Sequence, residues 1–246
     1  MDRLVLLLLF GAISSVVVGH ILEGGTLLSL WNAPALLIVF GGSLLALAVQ
    51  TPLYLALRAT QLLSWLIAPP QASLDQLLTK LTTCGNAYRK DGVLGLDRIA
   101  QAEQDPVMKR ALVMLADGQT PASIEKSILL EIDTHEEKDM YAAEVFDNLG
   151  GYLPTLGIVG AVLGLMQVLS NLEQPEELGR GIATAFVATF YGVAAANLIA
   201  IPIAGRLRGF IQQRTRYHKA MIVGVMAIRE GINPQLIRYR LEGMDI

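Results

Sequence analysis

A chain of 246 residues, 53% hydrophobic and only 17% charged, with a net charge of −3, carries too little charge for an ordinary soluble domain, in which about a quarter of residues are charged. With a mean hydropathy of +0.48, this excludes a soluble enzyme, a disordered tail and a disulfide scaffold. No basic excess points to nucleic acid, and the lone Cys84 has no partner for an internal disulfide.

Charge is absent altogether from four stretches: Leu4–Leu22 (19 residues), Gly24–Leu57 (34), Asn148–Leu172 (25) and Gly181–Gly205 (25). About 18–20 apolar residues cross a bilayer as a helix, so the pattern predicts an all-α integral membrane protein with four transmembrane helices. The first stretch follows Met1-Asp2-Arg3 and has only Val17-x-Gly19 as a poor cleavage site, so a retained helix is expected rather than a signal peptide. The second opens at Asn32-Ala33-Pro34, an N-cap followed by Pro in the first turn, and is expected to run to about Gln50. Thr51-Pro52 marks a boundary. Leu53 to Ala68, with Arg58, Gln61 and Trp65, reads as a helix leaving the membrane along its interface and ending at Pro69-Pro70.

The following segment reads as helical. Apolar residues Leu74, Leu77, Leu78, Leu81 and Ala87 recur at close to a 3.6-residue period. Thr120-Pro121 and Asn233-Pro234 pair a cap with a first-turn Pro. From Pro121 the pattern is continuous to Gly151, which joins this helix to span three. A tail helix is expected over Leu207–Glu230, stopped by Gly231. The division expected is residues 1–51 (spans one and two), 52–149 (a helical loop domain), 150–205 (spans three and four) and 206–246 (a helical tail). The acidic run Asp133, His135, Glu136, Glu137, Asp139 is the nearest thing to a metal cluster and reads as a solvated helix face; no metal ligand set and no cofactor are expected.

Lys and Arg set the orientation. Nine of the 19 lie between Pro52 and Leu149, and eight follow span four. The connection between spans one and two has none, and that between spans three and four has only Arg180, against Glu173, Glu176 and Glu177. Both termini and the large loop are therefore expected in the cytoplasm.

Spans three and four carry small residues at spacings of three and four: Gly157, Gly160, Ala161 and Gly164 on one, and Ala185, Ala188, Gly192, Ala196 and Ala200 on the other. Such stripes allow close backbone approach, either within one chain or in an oligomeric, pore-like core. Thr155, Gln167, Thr184, Thr189, Tyr191 and Asn197 add polar groups, and Pro154 and Pro202 free backbone carbonyls. Intramembrane proton relays use Asp, Glu or His, yet no span holds Asp, Glu, Lys or Arg, and His20 is the one imidazole near the bilayer. If the chain conducts ions, the titrating carboxylate belongs to another subunit.

The sequences Gly151-Tyr-Leu-Pro154-Thr-Leu-Gly-Ile-Val-Gly-Ala-Val-Leu-Gly164, Thr184-Ala-Phe-Val-Ala-Thr189-Phe-Tyr-Gly192 with Ile201-Pro202, and Ala87-Tyr-Arg89-Lys90-Asp91-Gly92-Val-Leu-Gly-Leu-Asp97 resemble the flagellar motor stator subunits of the MotA and PomA family, Glu230-Gly231-Ile-Asn233-Pro234 fits the same group, and the chain as a whole looks like the compact MotC or PomA type. The resemblance spans essentially the whole chain. It implies a homo-oligomeric ring around a MotB-like single-span partner that supplies the membrane Asp, and no enzymatic activity. It assigns Pro154 and Pro202 to coupling, Thr189 and Tyr191 to the ion path, and Arg89, Lys90 and Asp97 to contact with the rotor protein FliG; Asp97 stands where many members carry Glu. Ala161 occupies the place of a Thr found in sodium-type members, which implies protons rather than Na⁺. The alternative is a TolQ/ExbB-type proton channel, against which the paired first two spans and the loop between spans two and three argue.

Overall fold

The computed structural model describes residues 3–70, 73–170, 175–232, 236, 238, 239 and 241. Among them every regular element is helical. The chain divides into two compact units, Met1–Pro69 with Asp139–Arg208, and Pro70–Lys138 with Gly209–Ile246.

The first unit begins with α1 (Arg3–Leu22). Gly24, at φ 85°, lets the chain turn into a 3₁₀ turn at Leu27–Leu30 capped by Thr26. The His20 ring sits over this turn, with Nε2 3.0 Å from Ser29 Oγ; that hydroxyl already donates to the Thr26 carbonyl at 2.6 Å, so the imidazole nitrogen is the donor to it. The Asn32 side chain then accepts from the Ala35 N–H at 3.0 Å, which starts α2 (Ala33–Leu36) as expected. A π turn (Leu37–Gly41) joins α2 to α3 (Gly42–Gln50) without a break. After Pro52 come α4 (Leu53–Leu62) and a 3₁₀ turn, Leu63–Leu66.

The second unit contains α5 (Leu74–Asp91), α6 (Val93–Ala102) and α7 (Pro106–Ala116). The periodic residues of α5 do face a core: Leu77, Leu81 and Cys84 are buried with Leu96, Met108, Leu112, Ile124, Ile128, Met221 and Ile222. Burial pushes the Cys84 thiol up to about 11, so it packs as an inert apolar group.

Two long helices contribute to both units. The first, α8, runs from Pro121 to Ser170, 50 residues containing Pro154, and its continuity across Gly151 matches the sequence pattern. The second differs from expectation. In place of a separate tail helix from Leu207, α9 (Pro175–Ala195), a π turn (Ala196–Ala200) and α10 (Ile201–Arg229) follow one another directly. Pro202 does not end the helix because the widened turn before it makes room for the ring, whose missing N–H leaves a carbonyl unpaired. The end at Gly231 is as expected: it sits at φ 73°, and the Ile232 N–H returns to the Ala227 carbonyl at 3.0 Å, closing the final turn. Asn233-Pro234 lies outside the described residues.

Among the described residues three helices are long and apolar enough to cross a membrane: Ala33–Gln50 and the apolar stretches of Pro121–Ser170 and Leu178–Arg229, while α1 supplies a shorter apolar run, Leu7–Leu22.

Candidate functional site

The small-residue stripes meet each other inside one chain. A Cβ built on Gly157 would stand 3.0 Å from the Ala188 carbonyl oxygen, one on Gly160 2.6 Å from the Ala188 methyl carbon, and one on Gly164 2.8 Å from both the Ala185 nitrogen and the Gly181 oxygen. In hydrocarbon such close backbone approach, rather than the hydrophobic effect, drives helix packing. Of the two readings left open by the sequence, these glycines serve packing within the chain. Ala188, Ala195, Ala196 and Ala200 are buried in the same cluster, with Ala35 and Val39 of span two.

The two candidate coupling prolines belong to contacting helix segments. A Cβ built on Gly192 of α9 would meet the Leu153 backbone and stand 3.1 Å from Pro154 Cα; one turn earlier on α8, a Cβ built on Gly150 would stand 2.7 Å from Ile201, the neighbour of Pro202. Pro154 removes the amide that would have bonded the Gly150 carbonyl, and the π turn before Pro202 loosens the opposite helix at the same contact. Pro154 is half-buried and Pro202 exposed.

Ala161 and Thr189 are both half-buried. The Thr189 hydroxyl bonds back to the Ala185 carbonyl at 3.1 Å, which satisfies its donor and leaves the oxygen lone pairs free to accept. Its Cα lies 3.4 Å from a Cβ built on Gly157, one turn from Ala161. Tyr191 is engaged elsewhere. Its hydroxyl donates to the Leu30 carbonyl and accepts from the Asn32 N–H at 3.2 Å, while Asn32 Nδ2 donates to Thr184 Oγ1 at 2.9 Å. Tyr191 and Thr184 thus fasten the start of span two to span four, a role that no local pattern announces.

Arg89, Lys90 and Asp97 fall at one helical hairpin. Gly92, at φ 61°, makes the joint between α5 and α6. Arg89 and Lys90 end α5 and are exposed; Asp97 is half-buried on α6. Arg89 donates to the Ile232 carbonyl at 3.2 Å, and Asp97 accepts from Gln101 at 2.9 Å. Exposed Leu94 lies beside these charges.

Several ion pairs among the described residues escaped sequence reasoning. Asp105 caps α7, accepting from the Val107 and Met108 N–H groups at 2.9 and 3.1 Å, and its other oxygen meets His218 Nε2 at 3.0 Å. Burial alone would raise this carboxyl, but the His218 bond and charge and the two amides outweigh it and draw it down to about 2. Beside it, Lys80 bonds Glu103 at 2.8 Å. The Asp105-Pro106 pair is the same cap signal as Thr120-Pro121 and could have been found; its histidine partner, 113 residues away, could not.

The acidic run on α8 is not one solvated face. Lys219 holds Asp133 at 2.8 Å and Glu136 at 3.9 Å. Asp139 is only 4% exposed and takes both arms of Arg58, at 2.7 and 3.0 Å. The sequence reading is corrected there because a partner 81 residues distant neutralises the charge that local pattern assigned to water. Further along α8, Asp147 pairs with Arg208.

Residues 99–220 match the MotA/TolQ/ExbB proton channel family. Motility protein A of Helicobacter pylori is 31% identical over 98% of this chain and 94% of its own length. The structure titled "Structure of C. jejuni MotAB" contains a chain that superposes with a TM-score of 0.93 at 27% identity, covering 99% of this chain and 96% of that one. The flagellar MotAB stator complex from Bacillus subtilis gives 0.86 at 30% identity, over 97% and 93%. The chain belongs to the motility protein A family, a branch of the MotA/TolQ/ExbB proton channels.

Proposed function

We propose that this chain is the MotA-like subunit of a flagellar stator, passing protons across the inner membrane together with a MotB-like partner and turning their flow into torque on the rotor. The observation that carries this reading is the pair of charge-free stretches Asn148–Leu172 and Gly181–Gly205, packed through Gly157, Gly160, Gly164 and Gly192 and bearing Pro154, Thr189 and Pro202. Without an Asp, Glu, Lys or Arg in these stretches they line a path but hold no relay, so the partner brings the carboxylate. Copies of the chain form a ring around it. Four spans, with both termini in the cytoplasm, follow from the distribution of Lys and Arg.

Ala161 supports protons as the ion. A hydroxyl oxygen replaces part of a Na⁺ hydration shell and a methyl group does not. In cells that rely on this chain for motility, rotation persists in Na⁺-free medium and stops on adding a protonophore; strict Na⁺ dependence would sink the proton assignment.

The α5–α6 hairpin carries the rotor contact, with Arg89, Lys90 and Asp97 facing charges on FliG. Reversing both charges, Arg89→Glu with Asp97→Lys, abolishes most torque, and compensating reversals in FliG restore part of it. Full torque from the double variant would remove these residues from the mechanism.

A further inference from the structure

Arg58 and Asp139 take no part in the ion path or rotor contact described above. Their side chains form a two-pronged pair at 2.7 and 3.0 Å, with the carboxylate side chain 5% exposed and the guanidinium 27%. Arg58 also lies 5.7 Å above the Trp65 ring, a cation–π distance, and reaches Gln61 at 3.3 Å. A planar fork fixes angle as well as separation, so α4 is held at a set orientation on α8. Asp147, eight residues nearer the apolar stretch, pairs with Arg208 of α10. Eight residues amount to two turns and about 80°, so α8 is gripped on adjoining sides, by α4 through one carboxylate and by α10 through the other. Both pairs lie on the N-terminal side of Pro154.

The grip has a consequence in chain connectivity. α4 leads through the Leu63–Leu66 turn to α5, whose end carries Arg89 and Lys90. A displacement of α8 in span three is therefore shared with α4 through the ion pair, as well as running along α8 itself, and α4 precedes α5 in the chain. Coupling between distant sites travels through contiguous networks of this kind.

We propose that Asp139, acting through Arg58, is a positioning residue for force transmission: the pair makes α4 follow span three, and its loss uncouples ion passage from part of the delivered torque. The inference rests on the stator reading above. Asp139→Asn keeps the shape of the side chain while removing the charge; Arg58→Lys keeps the charge while removing the fork; Arg58→Asp with Asp139→Arg exchanges the partners. The readout is the speed step added when single stator units join a motor under high load, measured on tethered beads with the full complex in cells, alongside the number of units recruited and the proton leak.

For Asp139→Asn the torque per unit falls severalfold while recruitment and leak stay at wild-type levels. Arg58→Lys gives an intermediate step, and the exchanged pair recovers most of the loss. Wild-type torque per unit in Asp139→Asn overturns the proposal, and so does a loss confined to the number of units or the amount of protein. If Asp139→Asn fails to accumulate, the exchanged pair decides: wild-type steps support the proposal and weak steps from a normally accumulating protein refute it. Rotation that survives deletion of the wild-type chain refutes the stator reading instead, whatever the variants do.

Discussion

Replacing Gly192 with valine eliminates the assembled protein from the membrane. The added methyl groups have no flexible neighbour to displace, because the obstacle is the Leu153 carbonyl and the Pro154 Cα. Overpacking costs about 1–3 kcal/mol where side chains can give way, and here two helix backbones must separate along the contact that also unites Gly157, Gly160 and Gly164 with α9. The effect should be graded by what each glycine touches. Gly160→Ala meets side chains alone, the Ala188 methyl at 2.6 Å and Ile38 at 3.5 Å, and is rescued by Ala188→Gly, which removes the nearer obstacle. Gly205→Ala, with nothing within 4 Å, is neutral or stabilising by about 0.5–1 kcal/mol, the usual gain from replacing glycine inside a helix. Membrane accumulation and co-purification of the partner, compared across this series, check the ranking. Normal assembly of Gly192→Val would mean that the α8–α9 contact is not as described.

Asp105→Asn destabilises the protein at neutral pH by about 2 kcal/mol, and the deficit disappears in acid. Asparagine is as good an N-cap as aspartate, so the substitution isolates the charge. The Asp105 carboxyl is drawn from 3.8 to about 2 in the fold, and each unit corresponds to about 1.4 kcal/mol. For a carboxyl lowered by folding, the unfolded chain binds protons first as pH falls, so the stabilisation is complete above its unfolded value of about 4 and fades between there and about 2. Denaturant unfolding of the purified complex in detergent, wild type beside variant, should show the gap at pH 7 and its closure across that window. A gap independent of pH would assign the loss to packing around His218 instead of to the ion pair.

What could be read from the sequence was local. Asn32 with Pro34, Thr120 with Pro121, and Gly231 state helix ends through the backbone groups of their own turns, and Leu77 and Leu81 state a buried face through spacing alone. The small-residue stripes were visible, but not their partner, since close approach suits a neighbouring helix of the same chain or of another. The direct join of span four to the tail helix was not legible, because it runs through the Ala196–Ala200 π turn, and π turns have no composition of their own. The candidate site was legible in its residues and not in its wiring. Thr189 and Pro154 stood out by type, whereas the Tyr191 hydroxyl is occupied by Leu30 and Asn32, and the charge on Asp139 by Arg58. Each of those pairings joins distant parts of the chain and depends on packing that periodicity does not encode.

The link between Asn32 and Thr184 also bears on how the protein is made. These partners are 152 residues apart, and a ribosome adds about 5–20 residues per second. Span two therefore resides in the bilayer for about 8–30 s before span four exists to receive it. Throughout that interval the Asn32 amide lacks its final acceptor, and the early hairpin is a natural client for whatever shelters immature membrane segments during synthesis.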